Sequence, residues 1–356
     1  MKRLRNISEQ NELDGILITD PYSLRYYTGF QGGEGIALLT AGEAVLYVDS
    51  RYTEAATQEV KEADSGFYVK EFNHDQPLFQ LLRKQLQDSG AEKIGFEDRF
   101  MTCSTFSKYS KELEVKMLPL EDLLMKPRQI KSAAELELLR KAEAIGDRAF
   151  QHILTVLKPG ITELEVAAEL EYSMKKNGAS GLSFDTIVAS GFHSAMPHAI
   201  PTDKKLESGD FVTMDFGCIY QGYCSDMTRT VVIGKASEEQ RKIYHTVLQA
   251  QLKAMEGLRP GMRCRDVDKI ARDFIRDAGY GEYFGHGLGH SVGLYIHESP
   301  ALNTRDETFL APGMIETIEP GIYVPGFGGV RIEDMGVVAE SGYRSFAHSP
   351  KELIEL

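Results

Sequence analysis

The chain has 356 residues, 42% hydrophobic and 26% charged, a composition typical of a globular protein of about two domains. Its net charge of −13 argues against nucleic-acid binding, and no apolar run approaches the ~20 residues that a membrane helix needs. The N-terminus lacks the apolar stretch of a signal peptide, and the four cysteines lack disulfide or metal-ligand spacing. We therefore expect a reduced, cytoplasmic protein that binds neither nucleic acid nor membrane.

Residues 1–125 alternate short apolar runs with helical patterns, which predicts a small α/β domain with its own sheet. The predicted strands include Gly15–Ile18, Gly35–Leu39, Ala44–Val48 and Lys93–Phe96. This part contains one histidine, His74, and no clustered carboxylates on its strands. We therefore expect the domain to cover or orient the site, or to form a dimer contact, rather than to perform chemistry. Pro127 then interrupts the periodicity and Ser132 can cap the next helix, so we place the domain boundary after residue 125.

Residues 126–356 contain an internal repeat of helix, turn, helix and strands. Leu157–Gly160 matches Leu258–Gly261, and amphipathic patterns flank both turns. The predicted helices are Ala134–Leu157, Glu163–Asn177, Ser237–Leu258 and Arg265–Ala278. The second helix of each repeat ends at a glycine, Gly178 or Gly279, where a left-handed C-cap is expected. Two such α+β units can pack about a pseudo-twofold axis around a shared cleft.

The strands of this repeat carry acidic residues at matching positions. Ser208–Gly217 aligns with Pro312–Gly321, with a glycine after the first residue of each. The alignment puts two pairs of acids opposite each other, Asp215 with Glu319 and, roughly, Asp226 with Glu333. Carboxylates on apolar strands are costly to bury without a compensating cation, which favours a site over a purely architectural repeat.

A hairpin is predicted to bring the first pair of carboxylates together. Two apolar runs, Phe211–Phe216 and Met227–Ile233, are joined by a segment whose first part, Gly217–Gly222, has the glycine and tyrosine residues of a turn. Folded back on each other, the runs point Asp215 and Asp226 to the same place, where their repulsion calls for a divalent cation. Taken alone, the pair is equally consistent with a solvated hairpin rim.

Histidines are concentrated in the repeat half of the chain. Five of the nine lie there around the acidic strands: His193, His198, His286, His290 and His297. Gly285–His290 has the spacing of two helical metal ligands, but its three glycines would not hold a helix. We therefore predict a glycine-rich strand or loop that approaches a ligand closely, and the nearby Glu298 strengthens the case for a site.

These motifs together resemble the dinuclear metallopeptidases with the pita-bread fold, peptidase family M24. The resemblance rests on HGLGHSVGLYIHE at 286–298, EPGIY at 319–323 and VRIED at 330–334, and it covers nearly the whole chain. Tyr22–Phe30 is similar to the N-terminal domain of the proline-specific members. The resemblance implies an α+β pita-bread catalytic domain with the pseudo-twofold repeat at 126–356, preceded by a smaller, creatinase-like α/β domain at 1–125.

The resemblance also implies a set of five metal ligands, namely Asp215, Asp226, His290, Glu319 and Glu333. In the family pattern, Asp226 and Glu333 bridge two divalent cations per chain. A set of acids and imidazole without thiolate favours Mn²⁺, with Co²⁺ or Zn²⁺ as alternatives. A degenerate, non-catalytic relative would be expected to lose some of these ligands, and all five are present.

Further catalytic and substrate-binding roles follow from the same resemblance. Glu319 is the expected proton shuttle, His198 the histidine near the leaving group, and His297 the contact to the carbonyl and tetrahedral oxyanion. His286 and Arg331 match residues that line the proline side. Arg331 has an equally weighted second interpretation, in which it holds neighbouring acids in place.

The resulting functional prediction is a homodimeric Xaa-Pro aminopeptidase. It would release the N-terminal residue of peptides with proline in second position, using a hydroxide held between the cations. Ala301 follows the His297–Pro300 motif, where many dipeptidases of the family carry an arginine for the free carboxylate, although Arg305 lies close by. The alternatives are an Xaa-Pro dipeptidase (prolidase) and a non-catalytic pita-bread binding module.

Overall fold

The computed structural model describes residues 1–356, and the chain divides into two units, Met1–Arg128 and Gln129–Leu356. The strands of the first unit are β1 Gly15–Ile18, β2 Ile36–Thr40, β3 Ala44–Val48, β4 Tyr68–Glu71, β5 Lys93–Phe96 and β6 Lys116–Pro119. Its helices are α1 Lys2–Gln10, α2 Pro21–Thr28, α3 Thr53–Glu62, α4 Leu78–Ser89 and α5 Cys103–Leu113. A single helical turn, α6 Lys126–Gln129, follows.

The first unit is organised around one mixed six-stranded sheet, in the order β4-β3-β2-β1-β5-β6. β1, β2 and β3 are antiparallel neighbours, whereas β4, β5 and β6 join in parallel. Successive residues of a strand face opposite sides, so Ile16 and Ile18 enter one hydrophobic core while Leu17 enters the other. The four predicted strands form at or within one residue of their predicted ends, so the predicted sheet is confirmed.

The second unit contains four long helices and thirteen strands. The helices are α7 Ala133–Ile153, α8 Glu163–Lys176, α9 Glu238–Gly257 and α10 Cys264–Ile275. The strands of its first half are β7 Gly181–Leu182, β8 Ile187–Ser190, β9 Phe211–Phe216, β10 Cys218–Tyr220, β11 Tyr223–Cys224 and β12 Met227–Val232. Those of its second half are β13 Gly289–Ser291, β14 Glu298–Leu302, β15 Ile315–Ile318, β16 Gly321–Val324, β17 Gly328–Arg331, β18 Asp334–Ala339 and β19 Gly342–Ser345.

Local capping explains where three of these helices begin. In each, the side-chain hydroxyl of the N-cap residue accepts a hydrogen bond from the backbone N–H of the residue three positions later. The side chain of that later residue accepts a hydrogen bond from the backbone N–H of the N-cap residue. The pairs are Ser132 with Glu135, Thr162 with Glu165, and Ser237 with Gln240. The predicted cap at Ser132 is therefore confirmed, and the four predicted helices exist with ends shifted by at most four residues.

The repeat is visible in the strands as well as in the helices. β9 and β12 are antiparallel neighbours in one three-stranded sheet, and β15 and β18 are antiparallel neighbours in another. The third strand differs between the two sheets, because β8 lies beside β9 and β19 lies beside β18. The helix pair α7 and α8 packs in the core of the first sheet, and α9 and α10 pack in the core that contains the second. The predicted fold class, an α+β unit with an internal repeat after a smaller α/β unit, is confirmed.

The predicted hairpin is confirmed with one addition. β9 and β12 are antiparallel neighbours, so the two apolar runs do fold back on each other. Their connection is more than a turn, because β10 and β11 form a small hairpin of their own that pairs with β7. Gly222, with a φ of 83°, lies in its turn, where a side chain would be strained.

Candidate metal centre

The first two predicted ligands lie on neighbouring strands of the first half. Asp215 is on β9 and pairs in register with Thr228 of β12, while Asp226 comes immediately before β12. Asp226 is buried, with 4% of its surface exposed. A carboxylate so deeply buried without a positive partner costs free energy, so the local strand geometry already calls for a counter-charge.

The second half brings three more ligand candidates to the same place. Glu319 follows β15, Glu333 precedes β18, and His290 is the central residue of β13. Asp226, His290 and Glu333 each offer a ligand atom, and these atoms lie within 4.8 Å of one another. His290 Nε2 is 3.4 Å from Asp226 Oδ2 and 3.5 Å from Glu319 Oε1. Four of the five predicted ligands therefore converge directly.

The acids of this cluster suppress each other's ionisation. Burial, reinforced by the neighbouring Glu333, raises the pKa of Asp226 well above its usual range. Burial, Glu319 and Asp215 do the same to the pKa of Glu333. Burial raises the pKa of Glu319 to about 8, with Arg331 opposing the rise. Without a cation, the cluster cannot hold all of its negative charges.

His290 is held in the tautomer that suits a metal ligand. Its Nδ1 lies 3.1 Å from the carbonyl oxygen of Ser291, which can only accept, so Nδ1 carries the proton. Burial and the adjacent His297 lower the pKa of His290 to about 4, which keeps the ring neutral. The lone pair of Nε2 therefore faces Asp226 and Glu319, as metal ligation requires.

The donor set fits divalent cations. Asp215 Oδ1 is buried and has no hydrogen-bond partner, which leaves one carboxylate oxygen free beside the cluster. The four carboxylates supply hard oxygen donors and His290 supplies one imidazole. This combination suits Mn²⁺ or a similar ion, and it differs from the thiolate-rich donor set of a structural zinc site. Asp215, Asp226, His290, Glu319 and Glu333 are thus the residues that could hold metal here.

Arg331 contacts the acids rather than standing free in the cavity. Its Nη2 lies 2.6 Å from Asp215 Oδ2, and its Nε donates to Thr228 Oγ1 at 3.1 Å. Thr228 in turn donates to Glu333 Oε2 at 2.6 Å. This chain of contacts is what the second interpretation of Arg331 expects, because it orients two acids at once. Sequence reasoning missed Thr228, whose only signal was its position two residues after Asp226.

One cavity of about 500 Å³ is lined by all nine predicted site residues. Besides the five ligand candidates, these are His198, His286, His297 and Arg331. The rings of His290 and His297 have centroids 4.6 Å apart, and burial together with His198 lowers the pKa of His297. His193, counted with this group in the sequence, does not line the cavity, because its Nδ1 binds Glu163 at 2.9 Å.

A tyrosine that the sequence reasoning missed connects His286 to Arg331. The hydroxyl of Tyr323 lies 2.8 Å from Arg331 Nη1 and 3.0 Å from His286 Nε2. Since the Nδ1 of His286 donates to the carbonyl of Gly287, its Nε2 accepts from the tyrosine. Burial and Arg331 lower the pKa of His286 to about 4, so this wall of the cavity presents a neutral, fixed imidazole.

A buried ion pair secures the loop that carries His297. Lys131 Nζ lies 3.2 Å from Glu298 Oε2 and 3.3 Å from Ser291 Oγ, and its side chain is 1% exposed. Glu298 also accepts the backbone N–H groups of Leu294 and Tyr295. The sequence indicated Glu298 as part of the site, whereas its carboxylate supports the loop, and nothing in the sequence pointed to Lys131.

A second buried carboxylate secures the segment that carries His198. Glu163, at the start of α8, accepts hydrogen bonds from the backbone N–H and the hydroxyl of both Ser190 and Thr202. With His193, these contacts tie both ends of residues 190–202 to one side chain. His198 therefore sits in a segment that is anchored on both sides.

Two family models together match most of the chain. The model described as metallopeptidase family M24 matches residues 137–340, and the one described as the creatinase/prolidase N-terminal domain matches residues 1–130. None of the helices combines the length and the apolar content that crossing a membrane requires.

Individual relatives match over almost their full length. An Xaa-Pro dipeptidase of Pyrococcus furiosus is 39% identical over 99% of this chain and 99% of its own. A solved Xaa-Pro dipeptidase from Bacillus anthracis is 44% identical, with a TM-score of 0.95, over 100% of this chain and 98% of its own. A solved X-Pro aminopeptidase from Thermotoga maritima is 37% identical, with a TM-score of 0.91, over 98% of this chain and 99% of its own.

Proposed function

Because this chain belongs to metallopeptidase family M24, we propose that it is an Xaa-Pro dipeptidase, a metal-dependent hydrolase that splits dipeptides ending in proline. The observation that carries the proposal is the convergence of Asp226, His290 and Glu333, with Glu319 beside them, in a chain whose fold closely matches that of a solved Xaa-Pro dipeptidase. Sequence reasoning ranked the aminopeptidase first and the dipeptidase second. The relatives reverse that order, since two of the three compared above are named as dipeptidases.

The ligand roles are part of the proposal. Asp215, Asp226, His290, Glu319 and Glu333 would hold two divalent ions, with Asp226 and Glu333 contributing to both. When bound, such ions polarise the scissile carbonyl and lower the pKa of a water molecule, so that it can attack as hydroxide near neutral pH. Arg331 and Thr228 would keep Asp215 and Glu333 in place throughout.

The remaining residues would transfer protons, stabilise developing charge and contact the proline ring. Glu319 would accept the proton of the attacking water and pass it towards the proline nitrogen as the C–N bond breaks. His198 would donate a hydrogen bond at the leaving nitrogen, and His297 would donate one to the carbonyl oxygen as negative charge develops there. His286, held by Tyr323, would form part of the wall against the proline ring.

The X-Pro aminopeptidase remains the second candidate for one specific reason. Ala301 lines the cavity, and a small side chain there leaves room for a peptide to continue beyond proline. The T. maritima relative carries the aminopeptidase name on a closely similar fold.

Substrate length is the test that separates the two. We expect a higher kcat/KM on Ala-Pro than on Ala-Pro-Ala, measured with added Mn²⁺. The reverse preference would favour the aminopeptidase. Cleavage of neither peptide, together with no bound metal in elemental analysis, would favour the non-catalytic binding module.

The metal identity, stoichiometry and assembly are further parts of the proposal. We expect two metal ions per chain, with Mn²⁺ giving the highest activity, and a homodimer in solution. Elemental analysis, reactivation of metal-free protein with single metals, and light scattering test these three expectations separately.

A further inference from the structure

A buried arginine lies on the side of β12 that faces away from the cavity. Successive residues of a strand face opposite sides. Thr228 and Thr230 direct their hydroxyls to Arg331 on the cavity side, so Arg229 points the other way. Its side chain is 1% exposed and is the largest of those that the fold buries completely. The proposed catalytic roles make no use of this cation.

Two donors of this arginine join the two halves of the repeat. Arg229 Nη1 donates to the carbonyl oxygens of Thr228, at 2.9 Å, and Glu333, at 2.6 Å. The backbone N–H of Glu333 donates to the same carbonyl oxygen of Thr228 at 3.1 Å. Arg229 therefore fixes the backbone of Glu333 against β12, the strand that Asp226 precedes.

The other three donors of Arg229 bind Asp334 and the segment 348–356. Nη2 donates to Asp334 Oδ1 at 2.8 Å and to the carbonyl oxygen of Ser349 at 3.0 Å. Nε donates to the carbonyl oxygen of Pro350 at 3.0 Å. Together with the two contacts of Nη1, these use all five N–H donors of a guanidinium.

The segment 348–356 is itself fixed at both ends. At its start, Asp147 of α7 accepts two of its backbone N–H groups at 3.0 and 2.7 Å. Further along, Val232 of β12 donates to the carbonyl oxygen of Ile354 and accepts the N–H of Leu356, both at 2.9 Å. The carbonyl oxygens that receive the guanidinium are therefore held in place, which gives the arginine a fixed support outside the metal centre.

We propose that Arg229 is a positioning residue that holds Glu333 at ligand distance from Asp226 and couples the metal centre to segment 348–356. The inference rests on the proposed metal centre, in which these two acids would contact both ions. Their ligand atoms lie within 4.8 Å of each other and of a nitrogen of His290. A shifted backbone would move the Glu333 carboxylate away from its ion, so losing the hydrogen bonds of Arg229 should weaken metal binding.

Calorimetric titration of the metal-free protein with Mn²⁺ tests the proposal without turnover. Arg229→Lys keeps the charge, but an ammonium has three donors and cannot reach five acceptors arranged around a plane. The Mn²⁺ affinity should therefore fall roughly 10- to 100-fold. Lys351→Ala is the matched control, because Lys351 Nζ binds the other carboxylate oxygen of Asp334 at 2.9 Å without contacting the backbone of Glu333. Its Mn²⁺ affinity should change less than about threefold.

Hydrogen exchange in the wild type supplies a second measurement that needs no variant to fold. If Arg229 couples the metal centre to segment 348–356, added Mn²⁺ should slow amide exchange in that segment by at least about threefold. Amides of β1 in the first unit should exchange at an unchanged rate. Unchanged exchange in the segment, or equal slowing in β1, would overturn the coupling.

A stability control separates positioning from a general loss of stability. The buried Gln85 accepts from the hydroxyl of Tyr47 and donates to the carbonyl oxygen of Leu38, in the first unit. Gln85→Ala should therefore lower the free energy of unfolding in urea and leave the Mn²⁺ affinity unchanged. Wild-type affinity in Arg229→Lys, or an equal loss of affinity in Lys351→Ala or Gln85→Ala, would overturn the role of Arg229. A wild-type protein that binds no Mn²⁺ would instead overturn the metal centre, and the role of Arg229 with it.

Discussion

Single contacts decide how the acidic residues of the cavity are held. Arg331 pairs with Asp215 at 2.6 Å, and Thr228 links the same arginine to Glu333. These contacts orient the carboxylates but do not neutralise them, since one arginine faces four acids. The residual negative charge is what the proposed cations would balance.

Replacing Glu333 should therefore remove metal and activity together. Glu333→Ala deletes a carboxylate that is proposed to contact both ions, so metal content should fall below two per chain and turnover should be lost. Elemental analysis and Ala-Pro hydrolysis measure the two effects. Glu340→Ala, at an exposed position, is the control. Retention of two ions with normal turnover would remove Glu333 from the ligand set.

The histidines should behave differently from the ligands. His198→Ala and His297→Ala should keep full metal content, while kcat falls by roughly 10²- to 10³-fold, as for loss of one proton-transfer or oxyanion group. His245→Ala, on the exposed side of α9, should change neither quantity. Loss of metal in the first two variants would show that they ligate rather than assist.

At the scale of elements, the cavity is assembled from strand ends and anchored segments. Asp226 and Glu333 precede β12 and β18, the corresponding strands of the two halves, so the repeat places them symmetrically. The segment with His198 depends instead on Glu163, which receives five hydrogen-bond donors from Ser190, His193 and Thr202. A single buried side chain thus positions a whole segment of the cavity wall.

Loss of Glu163 should affect this segment in a graded way. Glu163→Ala leaves several buried donors unsatisfied and should cost about 3 kcal/mol of unfolding free energy, measured by urea denaturation. Glu163→Gln retains one acceptor oxygen and should cost less. Both variants should lower kcat for Ala-Pro more than they raise its KM. They displace His198, which is proposed to act at the leaving nitrogen, and leave the other residues of the cavity in place. Unchanged stability in Glu163→Ala would show that the hydrogen bonds contribute little.

At the scale of the whole molecule, buried carboxyls make stability depend on pH. Glu97 in the first unit accepts the backbone N–H groups of Thr19 and Asp20, both at 2.9 Å, where β1 leads into α2. Burial raises the pKa of Glu97 to about 7, against an ordinary value of 4.5. Between these two values the folded chain binds a proton that the unfolded chain has released.

Raising the pH should therefore lower the free energy of unfolding. The contribution of Glu97 to the unfolding free energy is fully present below pH 4.5 and is lost as the pH rises through 7. Glu97→Gln removes this titration, so the wild type should lose stability relative to the variant between pH 4.5 and 8. Urea denaturation at both ends of that range measures the difference. Parallel curves for the two proteins would show that Glu97 ionises normally in the folded state.

Local sequence patterns predicted the elements of both units closely. The predicted bounds of β1, β3 and β5 coincide with those observed, and Ser132 forms the predicted cap. Such features depend on residues within a few positions of each other, through side-chain alternation, apolar period and capping hydrogen bonds. The internal repeat, and with it the pairing of Asp215 with Glu319, was also readable because two segments of one sequence could be compared.

Contacts between distant segments were decided only by the tertiary structure. Arg331 with Asp215, Lys131 with Glu298, and Glu163 with Thr202 join residues that no local pattern connects. Their side chains meet because packed sheets and helices bring them within hydrogen-bond distance, and burial then makes each contact hard to lose. The sequence by itself determined the fold class, the family resemblance and the candidate ligands. Folding decided which of these acids lie within ligand distance of one another and which of them Arg331 contacts.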